Sequence, residues 1–104
     1  MSFWSRVNSM NLDDFRPGIR SKAEIGDNVI VAVMEIGPGK EDNGHQHPFE
    51  QCGIVTHGKI EMTVGEEQRV LEALDAYYIP SGILHGWKTF DKPVRIMDVS
   101  VKHE

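Results

Sequence analysis

What most constrains this chain is its punctuation. Runs of five to nine strand-forming residues are cut at nearly even intervals by turn formers. The runs are NVIVAVMEI (28–36), CGIVTH (52–57), KIEMTV (59–64), RVLEAL (69–74), AYYIP (76–80) and VRIMDVSV (94–101). They are rich in Val, Ile, Thr and Tyr, and several alternate apolar with polar residues, as a half-buried strand requires. Between them lie IGD, GPGKEDNG, HGK, GEEQ, PSG and FDKP, each with the Gly, Pro, Asp or Asn that a chain reversal needs. A repeat of about 8 to 12 residues predicts an all-β sandwich or barrel. Helix is expected only as a turn near MNLDDF, with Asn11 as its cap. Phe3 and Trp4 are expected to dock against the barrel or a second subunit.

At 104 residues the chain is long enough for one core and is read as a single domain, residues 1–15 an extension and 16–104 the barrel. Sixteen acidic against eleven basic residues give a formal charge of -5, and the basic ones form no block. Nucleic acid and anionic membrane are therefore not expected partners. The apolar runs fall far below the roughly 18 residues of a membrane span, and the first ten residues lack a secretory stretch. A cytoplasmic location is expected, in keeping with a single cysteine, Cys52.

The stretch NGHQHPFEQCG carries His45 and His47 one residue apart. If extended, both side chains project to one face, which suits two imidazoles sharing an ion. Glu50 is the tempting further ligand, but Gln51 keeps the parity of the histidines if Pro48 does not break the count. A third imidazole arrives with His85, which opens a strand after the turn at Pro80 and Gly82, and a barrel would bring it beside the pair. Three imidazoles and a carbonyl oxygen suit a divalent transition metal such as Zn, Ni, Mn, Fe or Cu.

GKEDNGHQHPFEQCGIVTHG, from Gly39 to Gly58, resembles the first cupin motif, with Gln51 at its acidic position. LDAYYIPSGILHGWKT resembles the second, with Pro80, Gly82 and His85 in register, Leu74 where a glycine is usual and Thr89 where an asparagine is. The resemblance implies a double-stranded β-helix, or jelly-roll barrel, with a metal inside. RPGIR, EQCGIVTHGKIEMTVG, DAYYIPSGILHG and MDVS are similar to the pectin-degradation KdgF-like cupins. Those proteins use a His, His, Gln, His metal set and help convert unsaturated uronates to open-chain keto forms. Here that resemblance implies His45, His47, Gln51 and His85 as ligands and Asp98 as the proton-moving group. Ser100 departs from the aromatic residue expected there, and the arginine expected beyond it is absent.

A neutral amide in place of a carboxylate leaves more positive charge on an ion, which tilts the chemistry toward Lewis-acid catalysis and away from oxidation. The expected activity is thus a metal-dependent, non-redox isomerisation of a small sugar acid or keto acid. Arg20 is the candidate to hold the carboxylate, and His103 is a second candidate for proton transfer. The alternatives are a dioxygenase or lyase on the same ligands, or a non-enzymatic ligand-binding or sensor barrel. Of Tyr77 and Tyr78 at most one can face a pocket, His57 is expected at an exposed turn, and Cys52 is expected as a packed thiol. Edge strands of so small a barrel are expected to pair in a homodimer.

Overall fold

The computed structural model describes residues 6–102; Phe3, Trp4 and His103 lie outside them. Among the described residues ten strands form two antiparallel sheets. They are β1 (Asp13–Arg16), β2 (Ile19–Ile25), β3 (Val29–Ile36), β4 (Glu41–His45), β5 (Gln51–His57), β6 (Lys59–Val64), β7 (Glu67–Glu72), β8 (Ala76–Ile79), β9 (His85–Thr89) and β10 (Val94–Val101). One sheet runs β1-β2-β3-β10-β5-β8 and the other β4-β9-β6-β7. All six apolar runs seen in the sequence are strands. The MNLDDF turn is corrected: a 3-10 helix spans Val7–Ser9, and Asn11 leads into extended chain. Strand β1 starts at Asp13, three residues before the expected barrel boundary.

The inner faces of both sheets supply two apolar clusters, the smaller being Met62, Tyr77 and Ile79. Ile19, Ile36, Val55, Ile60, Val94 and Ile96 pack together, with Met34, Leu71 and Trp87 against them. This apolar floor fills one end of the barrel. Toward the other end the inward positions of β5 and β10 turn polar, with Gln51 and Asp98 following the buried Val55 and Ile96, and the Tyr77 hydroxyl joins them from β8.

The outer face of the larger sheet is tied to the N-terminal segment by Arg95. This buried guanidinium donates to the carbonyl oxygens of Val7 (2.7 Å) and Met10 (3.0 Å) and to Glu35 Oε1 (2.9 Å). Glu35 also receives Arg20, at 2.5 Å. Burial pushes the Glu35 carboxyl up, but hydrogen bonds and charge from Arg20 and Arg95 outweigh it and hold the group below its ordinary 4.5.

Two departures from the cupin motifs have a physical reading. Leu74 adopts φ +77°, the left-handed region where glycine is at ease, and its side chain is 80% exposed. Thr89 is buried, accepts a bond from the Lys40 N–H and donates to the Gly37 carbonyl, both at 2.8 Å. It pins the turn after β3 to the end of β9, a polar task that a hydroxyl performs here.

Two outcomes are expected for stability. Leu74→Gly, which relieves the strained φ and loses little buried surface, should stabilise the fold by about 0.5–1 kcal/mol in urea unfolding, whereas Leu74→Ala keeps the strain and gives no such gain. A carboxyl held low in the folded state stabilises above its unfolded value and loses that contribution as pH falls through its folded one. Thermal unfolding across pH should therefore show the native chain losing stability below about pH 4.5, with Glu35→Gln less stable at pH 7 and flatter in that acid range.

Candidate metal centre

Three local features bring the imidazoles together. His45 ends β4 directly opposite His85, the first residue of β9, and a register shift between Asp42 and His45 aims it inward. His47 lies past the end of β4, so continuous strand parity does not place it. Instead the Gln46 side chain donates to the Gly82 carbonyl (2.9 Å) and the Gly82 N–H to the His47 carbonyl (2.8 Å), which binds this loop to the turn before His85. The ring of His47 also stacks on Phe49, with centroids 4.3 Å apart. The ligand nitrogens of His45, His47 and His85 lie within 4.8 Å of one another, so the three can hold a metal ion.

The outer ring atoms fix which nitrogen faces inward. His85 Nδ1 sits 2.8 Å from the Ile83 carbonyl, which can only accept, so the proton is on Nδ1. That leaves Nε2 buried and without a hydrogen-bond partner among the described residues. His45 Nδ1 sits 3.0 Å from Asp42 Oδ2, a carboxylate–imidazole pair of the kind that orients metal-binding histidines. Burial pushes the Asp42 carboxyl up, but the Gly44 N–H and His45 outweigh it, and the group stays below its ordinary value.

Gln51 opens β5 and lines the same cavity as His45 and His85, a space of about 140 Å³. Its Nε2 donates to Asp98 Oδ2 at 3.0 Å, while its Oε1 is buried and unpaired among the described residues. An ionised carboxylate only accepts, so Asp98 fixes the amide with its oxygen end unspent. Two unpaired buried acceptors, His85 Nε2 and Gln51 Oε1, are the kind of atoms that a cation satisfies. Glu50 faces outward instead and accepts a bond from the exposed Tyr78 hydroxyl.

Asp98, Gly53 and Tyr77 stand side by side across β10, β5 and β8. With no side chain between them, the Tyr77 hydroxyl reaches across Gly53 to Asp98 Oδ2, at 2.5 Å. A Cβ at Gly53 would overlap both that hydroxyl and the Met97 carbonyl oxygen. Burial, then the charge of Asp98, pushes the Tyr77 hydroxyl far above its ordinary value, so it is a proton-bearing donor at neutral pH.

The family is decided by the sequence as a whole. The cupin domain family matches residues 32–100. The chain is a cupin. H2HPP isomerase of Bacillus subtilis is 31% identical over 84 residues, 79% of this chain and 36% of that protein. The cupin-domain-containing oxidoreductase srdB of Neurospora crassa is 31% identical over 81 residues, 75% of this chain and 41% of that protein. The cupin thus spans less than half the length of either curated relative. Among solved structures, KdgF from Halomonas sp. superposes with a TM-score of 0.85 at 24% identity, over 99% of this chain and 96% of that one. The polyketide cyclase RemF from Streptomyces resistomycificus gives 0.81 at 18% identity, over 97% and 80%. At these identities the likeness is one of fold.

Several residues stand elsewhere than the sequence indicated. Arg20 does not line the histidine cavity; it points to the outer face of β2 and binds Glu35. The arginine on the cavity wall is Arg16, and Tyr77 and Asp42 are further polar groups there that sequence reasoning did not assign. Cys52 is exposed and not packed, because it alternates with the inward Gln51 and Gly53. His57 is exposed at its turn. Among the described residues no helix is long and apolar enough to cross a membrane. If the empty space above Gly53 is what admits Tyr77, Gly53→Ala should cost about 1–3 kcal/mol in urea unfolding; a cost under about 0.5 kcal/mol would contradict that packing.

Proposed function

We propose that this cupin binds one divalent transition metal through His45, His47, Gln51 and His85 and catalyses a non-redox isomerisation or tautomerisation of a small sugar acid or keto acid. The observation that carries the reading is the joint setting of Gln51. Its oxygen is unspent beside the histidines, and its nitrogen is held by the carboxylate, Asp98, that would move the proton. A metal there would act as a Lewis acid, polarising a substrate carbonyl or hydroxyl. The neutral ligand set of three imidazoles and an amide favours that role over redox cycling.

Asp98 is placed to handle a proton. Both of its bonds fall on Oδ2, from Gln51 and from Tyr77, and Oδ1 has no bond among the described residues. Oδ1 would take the proton from a substrate carbon or hydroxyl and return it to the neighbouring position. Tyr77, kept protonated by burial, steadies the carboxylate through the step. The apolar wall of Met34, Ile36, Met62, Ile79, Trp87 and Ile96 limits water around the reacting groups.

The names of relatives fit this reading: one is an isomerase, and one similar fold is KdgF. The oxidoreductase name of another relative motivates the competing reading, oxygen chemistry at the same site. A homodimer belongs to the proposal too, because the edge strands β1 and β8 carry the exposed Phe15 and Tyr78.

The test is elemental analysis of the purified protein, then anaerobic incubation of the metal-loaded form with a 4,5-unsaturated uronate while its absorbance is followed. Loss of absorbance without oxygen is expected, and Asp98→Asn should slow it about 100-fold or more with metal still bound. Turnover that requires oxygen would instead support the oxidative reading. Metal-loaded protein that turns over at the same rate with Asp98→Asn would remove Asp98 from the chemistry.

A further inference from the structure

Arg16, Arg20 and Arg95 stand on β1, β2 and β10 of the larger sheet, and of these three Arg16 alone has its fork free among the described residues. Arg20 and Arg95 both bind Glu35, and Arg95 also holds two backbone carbonyls. Arg16 makes neither a hydrogen bond nor an ion pair among the described residues; its guanidinium stands 5.3 Å from the centre of the Phe15 ring. A weakly hydrated planar cation beside an aromatic face is well prepared to take a planar anion.

The backbone explains why Arg16 faces the cavity and Arg20 does not. Regular antiparallel pairing from Asp14 opposite Arg20 would set residue 15 against Ile19, but the register shifts and Arg16 stands opposite Ile19. Residues directly opposite in an antiparallel pair share a face. Ile19 is a core residue, so the bulge turns Arg16 inward while Arg20, one position along, stays outside. Arg16 accordingly lines the histidine cavity and also the open groove beside it.

The cavity's carboxylates do not use this charge in a direct pair. Asp42 is bonded to Gly44 N and His45, and Asp98 to Gln51 and Tyr77. We propose that Arg16 is the specificity residue of the site, binding the carboxylate of an acid substrate at the cavity mouth while the reacting carbon–oxygen end lies inward beside His45 and His85. The inner space of about 140 Å³ equals that of roughly five waters at ~30 Å³ each, so it admits a short acid or one end of a longer one. A bidentate guanidinium–carboxylate pair fixes that end in orientation as well as in charge. The inference rests on the cavity being the reaction site, as proposed above.

Calorimetric titration of the metal-loaded protein with 4-oxopentanoate and with its methyl ester tests it. The native chain should prefer the acid. Arg16→Gln should weaken the acid about 10- to 100-fold, leave the ester and the metal content unchanged, and Arg16→Lys should recover part of the loss. Equal losses for acid and ester, unchanged acid binding in Arg16→Gln, a loss confined to Arg20→Gln, or a native preference for the ester would each overturn it. Failure of the reaction itself would show separately, as metal-loaded protein that binds the acid through Arg16 yet leaves unsaturated uronates intact.

Discussion

Strand β10 lies between β3 and β5 and pairs with both along most of its length. Much of the structure depends on that insertion. It joins two stretches that hairpins alone would leave apart, and it brings residues from late in the chain to partners 38 to 72 positions earlier. Arg95 meets Glu35 and the N-terminal carbonyls on the outside, Ile96 and Val94 complete the floor, and Asp98 meets Gln51 and Tyr77 on the inside. Alternate residues of one strand thus serve the outer clasp and the inner site. Pairings so distant in sequence carry a larger loop-closure entropy than the hairpins do.

The histidine end is organised from outside inward. His45 and His85 each spend an outer ring nitrogen on a fixed acceptor, Asp42 for the first and the Ile83 carbonyl for the second. Gln51 spends its amide nitrogen on Asp98 in the same way. The atoms that remain are lone pairs on rings and an amide that the backbone cannot satisfy. A site prepared in this manner needs little rearrangement to accept a cation, because the orienting bonds already exist.

The strands were legible because turn residues and β-branched runs report local preference directly. The clustering of His45, His47 and His85, with Gln51 on the same cavity, was legible because the motifs carry fixed spacing, although His47 reaches the others through a loop bound to Gly82 and not through strand parity. The features that stayed hidden depended on partners far away in sequence. Tyr77 could be sorted from Tyr78 only by the absence of a side chain at Gly53, across a strand pair. Arg20 looked like the anion ligand in place of Arg16 because the bulge that turns Arg16 inward leaves no mark in the sequence. Leu74, by contrast, stood out in the sequence as a missing glycine, and its positive φ supplies the reason.

The bulge in β1 has an evolutionary side. Because it amounts to one extra residue in a short edge strand, loss of the Phe15 codon would restore regular pairing with Asp14 still opposite Arg20 and Arg16 still opposite Ile19, so Arg16 would keep its inward face. The side chain offered at the cavity rim changes instead by substitution at position 16, with the floor, the imidazoles and the carboxylates left in place. An edge strand of four residues, paired on one side only, is the part of this barrel best able to tolerate such an experiment of nature.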